Sequence, residues 1–300
     1  MDKTPYFEKK SLFFRFLILL FLVVFGFSFF SIIGIFLANA IWGAQQVNTN
    51  PDAIRFFQGI STIGIFLFPS IVFVFLEKKT IPKNFIYNKM DKKSIQSLII
   101  IVALSVIIIP LISFLGEINQ LIHFPESLKN IENWMIKLEE KNGAILNLLT
   151  QNVNFETYLK NILVMAVVPA ICEEVFFRGV LQNFSIQVFK NKHIAIVLTA
   201  IIFSIIHFQF YGFIPRVLLG IYLGYLMIWS GSLLLPIFAH FLHNFLSITI
   251  DYIGKTNHMN VEETNLIDIK GIFWLILIGT IFVFVGIRRV YLNRVDLHKL

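Results

Sequence analysis

Three separated stretches of this chain place polar, reactive side chains inside runs that are otherwise apolar. Glu173, Glu174 and Arg178 stand in Cys172-Glu173-Glu174-Val175-Phe176-Phe177-Arg178-Gly179. His207 closes Phe203-Ser204-Ile205-Ile206-His207, and His240 and His243 precede Asn244. An ionisable group at mid-bilayer costs roughly 2.5–3.5 kcal/mol on insertion scales, so each of these demands an explanation. Positions four apart share a helix face, so Glu174 can pair with Arg178, and His240 lies one turn from Asn244. Glu173 is rotated about 100° from Glu174 and can face a different neighbour. Glu173, His207, His240 and Asn244 then come from three helices able to converge on one polar pocket. A carboxylate beside a histidine can hold and deprotonate a water. A second histidine and an amide can donate hydrogen bonds to a developing oxyanion. Those are the parts that amide hydrolysis needs.

The elements that position them are membrane helices. The chain is 57% hydrophobic and 14% charged, against a usual charged share of about 25%, and its mean hydropathy is +0.77. Too few polar residues remain to cover a water-facing globule, which excludes a soluble enzyme and a disordered chain. A single cysteine, Cys172, excludes an intrachain disulfide and a cysteine metal cluster. The fold class expected is all-α, a polytopic integral membrane bundle of about eight transmembrane helices. The candidate spans are 12–42, 57–76, 94–115, 158–182, 193–210, 213–230, 233–252 and 271–288. Ser230-Gly231-Ser232 and Pro236 separate the sixth from the seventh. Phe16 to Gly43 carries no charge and outruns the apolar core of a cleaved signal, so it reads as a retained first span.

The formal charge of +7 does not point to nucleic acid, because the basic residues sit in short segments between apolar runs. They read as orientation signals and contacts to lipid. With eight spans, about 16 basic residues fall inside and about 8 outside, which puts both termini in the cytoplasm. Between spans three and four, Ile131, Trp134, Met135 and Leu138 recur at helical spacing, with Lys137, Glu139, Glu140 and Lys141 on other faces. That pattern predicts an amphipathic helix on the outer membrane face. The organisation expected is 1–155 for the N-terminal helices and this loop, 156–252 for the unit carrying the chemistry, and 253–300 for an outer loop, last span and basic tail. The Phe-, Ile- and Lys-rich composition leans towards a bacterial cytoplasmic membrane.

The polar constellation resembles the CPBP family, the CAAX proteases and bacteriocin-processing enzymes also called the Abi or type II CAAX endopeptidase family. Its Glu-Glu-x-x-x-Arg motif stands here as Glu173 to Arg178, its Phe-x-x-x-His motif as Phe203 to His207, and its His-x-x-x-Asn motif as His240 to Asn244. The resemblance covers roughly 155–250. It implies an intramembrane endopeptidase in which Glu173 and His207 activate water, His240 and Asn244 stabilise the oxyanion, and Glu174 and Arg178 support them. The substrate implied is a membrane-associated peptide or a lipidated, CAAX-like C-terminus, and prokaryotic members are linked to bacteriocin maturation and self-immunity.

The cofactor stays open between none and zinc. Glu173, His207 and His240 form a set that zinc accepts in catalytic sites, but no His-Glu-x-x-His pair lies on one helix. A non-catalytic membrane regulator could use the same cluster, and a transporter is a third class. Depth raises a further question. By rise per residue, His207 lies about 21 Å along its helix and His240 only about 10 Å along its own. Gly220-x-x-x-Gly224 permits a close helix crossing.

Overall fold

The computed structural model describes residues 10–77 and 124–257, with short helical pieces at 100–102, 115–116, 118–119, 278–279, 281 and 285–286. All regular structure among the described residues is helical. Local chemistry sets most helix ends. Helix α1 (Leu12–Trp42) starts on Ser11, whose side chain accepts from Phe14 N, and stops at Gly43 with φ 85°. Helix α2 (Pro51–Glu77) is capped by Asn50 with proline in its first turn. Helix α3 (Lys129–Thr150) follows one short turn at Glu126–Leu128. Helix α4 (155–189) begins on the Asn154 cap and ends at Lys190 in the left-handed region. Helix α5 (Lys192–Ile205) starts on Asn191. Helices α6 (Phe213–Ser230) and α7 (Leu234–Thr256) are separated at Gly231, where φ is 61°.

Helices α1, α2, α6 and α7 are each long and apolar enough to cross a bilayer. They coincide with the expected spans 12–42, 57–76, 213–230 and 233–252. The expected span 158–182 lies inside α4. The expected span 193–210 is shorter than its hydropathy suggested. Its helix stops at Ile205, and Phe208 turns into the left-handed region at φ 50°. Ser204 Oγ donates to Phe213 O at 2.8 Å, tying this turn back onto α6. The expected spans 94–115 and 271–288 lie outside the described residues apart from the helical pieces above.

Helix α4 is the centre of the bundle. One side carries Cys172, Phe176, Phe177, Val180, Leu181 and Phe184 into an apolar cluster with Leu19 and Leu22 of α1, Phe66 and Phe73 of α2, and Phe203 of α5. Its other side presents Arg178 and Gln182, one turn apart, to two carbonyls one turn apart on α6. Arg178 Nη2 donates to Gly220 O at 3.0 Å and Gln182 Nε2 to Gly224 O at 3.2 Å. A Cβ on Gly220 would lie 2.8 Å from Ala200 Cβ, so α5 and α6 approach within a distance that only glycine permits.

Helix α3 is amphipathic. Ile131 and Trp134 are exposed, whereas Glu132 is buried and Glu139 turns inward to accept from Tyr211 N at 2.9 Å. Backbone N–H groups in the α5–α6 turn need acceptors, and that need outweighs the apolar stripe. At the far end, Arg55 of α2 donates to Leu149 O at 2.6 Å and Asn161 Oδ1 at 2.8 Å, pinning α3 to α4.

Overpacking a filled contact costs about 1–3 kcal/mol. Gly220→Ala is therefore expected to lower the melting temperature of the detergent-purified protein, and Ala200→Gly to return part of the loss in the double variant.

Candidate active site

The Glu-Glu-x-x-x-Arg segment divides its labour between two faces of α4. Glu174 and Arg178 have fully buried side chains and pair at 2.9 Å. Glu174 Oε1 also lies 2.7 Å from His240 Nδ1 on α7. That oxygen already accepts from the guanidinium, so Nδ1 carries the hydrogen and donates it. His240 is thereby fixed in orientation, with Nε2 left as its available ring atom. The second histidine of the site thus rests on Glu174, the acid that sequence spacing assigns to Arg178 alone.

Glu173 faces the other way. Its Oε2 lies 4.0 Å from His207 Nε2 and is buried with no hydrogen-bond partner among the described residues. This separation is too long for a direct bond, but a third atom can lie within hydrogen-bond reach of both. His207 Nδ1 is 2.7 Å from Phe203 O, which can only accept, so this ring also directs Nε2 at the carboxylate. The Phe203 ring meets both histidines, with centroids 5.0 Å from His207 and 5.9 Å from His240. The depths therefore align: α5 is short, and His207 sits in the turn beyond it.

Asn244 is placed by a proline. Pro169 has no N–H, so it leaves the carbonyl four residues earlier, on Met165, without its helical donor. Asn244 Nδ2 donates to Met165 O at 3.2 Å. A widened, π-type stretch at Ile162–Val167 precedes the proline, and a second lies at Val175–Leu181, beside Glu173 and Glu174. Glu173, His207, His240 and Asn244 line one cavity of about 900 Å³, and His243 lines it too. Cys172 packs in the apolar cluster on the opposite side of α4.

The cavity holds residues that the motif reading passed over. Gln58, Ser61 and Thr62 come from α2, Ser247 and Asp251 from α7, and Gln209 and Arg216 from the α5–α6 turn and the start of α6. Arg216 carried a usable signal, as a charge within the apolar run from Phe213 to Ser230. The α2 residues had none, because nothing local says which neighbour α2 meets. The turn carrying His207 and Gln209 is clamped from outside: Asn119 Nδ2 donates to Phe210 O at 2.6 Å, and Glu139 accepts from Tyr211 N.

Zinc is the one metal that the residue types raise. His240 commits Nδ1 to Glu174 and His207 commits Nδ1 to Phe203 O. Among the described residues, no three His, Cys, Asp or Glu side chains are grouped to hold one ion. Both rings commit Nδ1 and keep Nε2 free, as histidines that bind zinc through Nε2 also do, and the two would need to close on Glu173 to make a three-ligand set.

The helices thus place one glutamate and two histidines on the wall of a single cavity. Residues 155–246 match the family described as Rce1-like, the type II CAAX prenyl endopeptidases. That match, over about a third of the chain, supports a CPBP/CAAX protease assignment for the segment, and four helices are long and apolar enough to cross a membrane. No curated protein and no solved structure matches the chain.

Removing one partner of a buried ion pair typically costs about 3–5 kcal/mol, because the other charge is stranded. Arg178→Met is expected to destabilise the purified protein by that order. Glu174→Gln combined with Arg178→Met should lose less than the two single losses added, as read from melting temperatures in a double-variant cycle.

Proposed function

We propose that this protein is an intramembrane endopeptidase of the glutamate type. On this reading it hydrolyses a peptide bond in a membrane-associated peptide or in a lipidated, CAAX-like C-terminus. The close approach of Glu173 Oε2 and His207 Nε2, at 4.0 Å on the wall of a cavity of about 900 Å³, is the observation that carries the reading. Glu173 takes a proton from a water held between it and His207, and the hydroxide adds to the scissile carbonyl carbon. The negative oxygen is met by the Asn244 amide hydrogen not given to Met165 and by His240 when its Nε2 carries a hydrogen. Collapse breaks the C–N bond, and the proton held by Glu173 passes to the leaving amine. Glu174 and Arg178 act through His240 and the α6 backbone, and they touch no reacting atom.

The unit carrying this chemistry is 156–252, with 1–155 and 253–300 flanking it in a bacterial cytoplasmic membrane, both termini inside. Phe57, Ile65, Val164, Leu219 and Ile248 supply apolar wall to the cavity. A peptide with an apolar or lipid-modified segment suits such a lining.

The test is comparative peptidomics of membranes carrying wild type, Glu173→Gln or His207→Ala. General acid–base partners contribute about 10²–10⁴-fold, so each variant should lose the released fragments while inserting at wild-type levels. Undiminished cleavage by either variant sinks the mechanism. A Glu173→Gln chain that fully restores a deletion phenotype would reassign the site to a non-catalytic regulator. Wild-type cleavage should also survive a strong zinc chelator; a loss that added zinc reverses would convert the mechanism to a metal-dependent one.

A further inference from the structure

Arg216 stands out among the cavity residues. It is the one lysine or arginine among the described residues that line the cavity shared by Glu173, His207, His240 and Asn244. It is half-buried, and among the described residues no carboxylate lies within ion-pair distance of it. Glu139 and Glu173 act on it only at a distance. An unneutralised guanidinium at the edge of a membrane cavity is costly unless it meets an anion.

The guanidinium is held in place without being used up. Its Nη1 donates to Gln209 O at 3.2 Å and its Nη2 to the Gln209 side-chain oxygen. The remaining N–H groups of the fork have no partner among the described residues. Gly212 makes this seat possible, since a Cβ there would fall 2.6 Å from Nη1 and 2.7 Å from Cζ. Gln209 and Gly212 lie on the turn that also carries His207, and Asn119 and Glu139 fasten that turn from outside. The cation is therefore rigidly tied to the hydrolytic pair.

We infer that Arg216, seated against Gly212 by Gln209, is an anion subsite that receives the free terminal carboxylate of the bound peptide. This rests on the peptidase reading above and deepens it by naming the residue that reads the end of the peptide. A planar guanidinium matches a carboxylate through paired N–H···O bonds, a geometry that a lysine could not supply. A peptide entering by its end brings one obligatory anion, whereas acidic side chains are optional. The other acids on the cavity wall are Glu173 and Asp251, and Asp251 is already paired with Lys255 at 3.0 Å. Arg216 thus sets the polarity of binding, with the C-terminus at Arg216 and the chain running back past Glu173.

The test uses the full chain in nanodiscs, in the Glu173→Gln background so that nothing is hydrolysed. The probe is a fluorescent, N-palmitoylated tetra-alanine, offered as the free acid and as the carboxamide. The acid is expected to bind roughly tenfold or more tightly than the amide, as a charge-assisted hydrogen bond supplies. Arg216→Gln should bring the acid down to the affinity of the amide and leave the amide unchanged. Gly212→Ala, which keeps the charge but displaces the guanidinium, should do the same, and it separates seating from misfolding. Equal affinities in the parent, no saturable binding of either form, or a preference that survives Arg216→Gln would each overturn the proposal. Competition by short-chain phosphatidate as strong as by the acid would overturn the peptide source and assign the anion to a lipid phosphate. Because binding is read without hydrolysis, a preference found beside inactive wild-type protein would fail the peptidase reading and leave the subsite standing.

Discussion

The architecture turns on one buried charge pair and what each partner does with its remaining bonds. Arg178 and Glu174 sit one turn apart on α4, out of reach of water, and neither could remain there alone. The guanidinium uses its second arm on Gly220 O, drawing α6 against α4. The carboxylate uses the same oxygen to hold His240 of α7. Three helices are thereby registered by one i,i+4 pair. The close seat of Gly220 against Ala200 adds α5 without a further polar contact. Solvation is what makes the device rigid. In a membrane interior no water competes for these groups, so a displaced partner would strand a charge rather than rehydrate it.

This division gives the two adjacent glutamates separate tasks. Glu174 is consumed by Arg178 and His240. Glu173, about 100° around the helix, retains an unpartnered oxygen facing His207 across 4.0 Å. The ion pair holds α4 at a fixed rotation, and that rotation aims Glu173. The widened turns, one before the pair and one enclosing Arg178, serve the same end, because an extra residue per turn resets which positions share a face. Pro169 lies between those turns, and the Asn244 bond to Met165 fills the gap in the helix ladder that it opens. Asn244 thus answers first to the backbone of α4, and only its second amide hydrogen is available to a ligand.

What the amino-acid sequence disclosed follows from the range of the interactions involved. Contacts set by local spacing were legible: Glu174 with Arg178 and the glycine pair of α6 both depend on spacing of a few residues. Spans of uncharged residues were legible too, since lipid leaves a long uniform signature. Contacts between helices were not. That His240 rests on Glu174, that Gln58 and Thr62 of α2 face the cavity, and that α5 ends early all depend on helix rotation and depth, which hydropathy does not encode. The facing of α3 was legible only in part, for a related reason. An apolar stripe identifies the side that avoids water, but it cannot say whether lipid or protein covers it. Ile131 and Trp134 point outward, while Glu139 turns inward to the Tyr211 amide.

That inward glutamate gives α3 a place in the site's construction. The turn from Ile206 to Gly212 carries His207, Gln209 and the seat of Arg216, yet it is the least regular backbone around the cavity. Phe208 is left-handed, and a turn of this kind leaves N–H and C=O groups that a helix would have paired among themselves. Ser204, Asn119 and Glu139 each take one of those groups or a neighbour of it, from three different elements. The histidine's position is therefore fixed less by its own helix, which has already ended, than by the side chains that close around the turn. A short α5 is the condition for this. Had it continued through residue 210, His207 would present its face according to helical phase alone. No free loop would then remain to bring the arginine seat beside it.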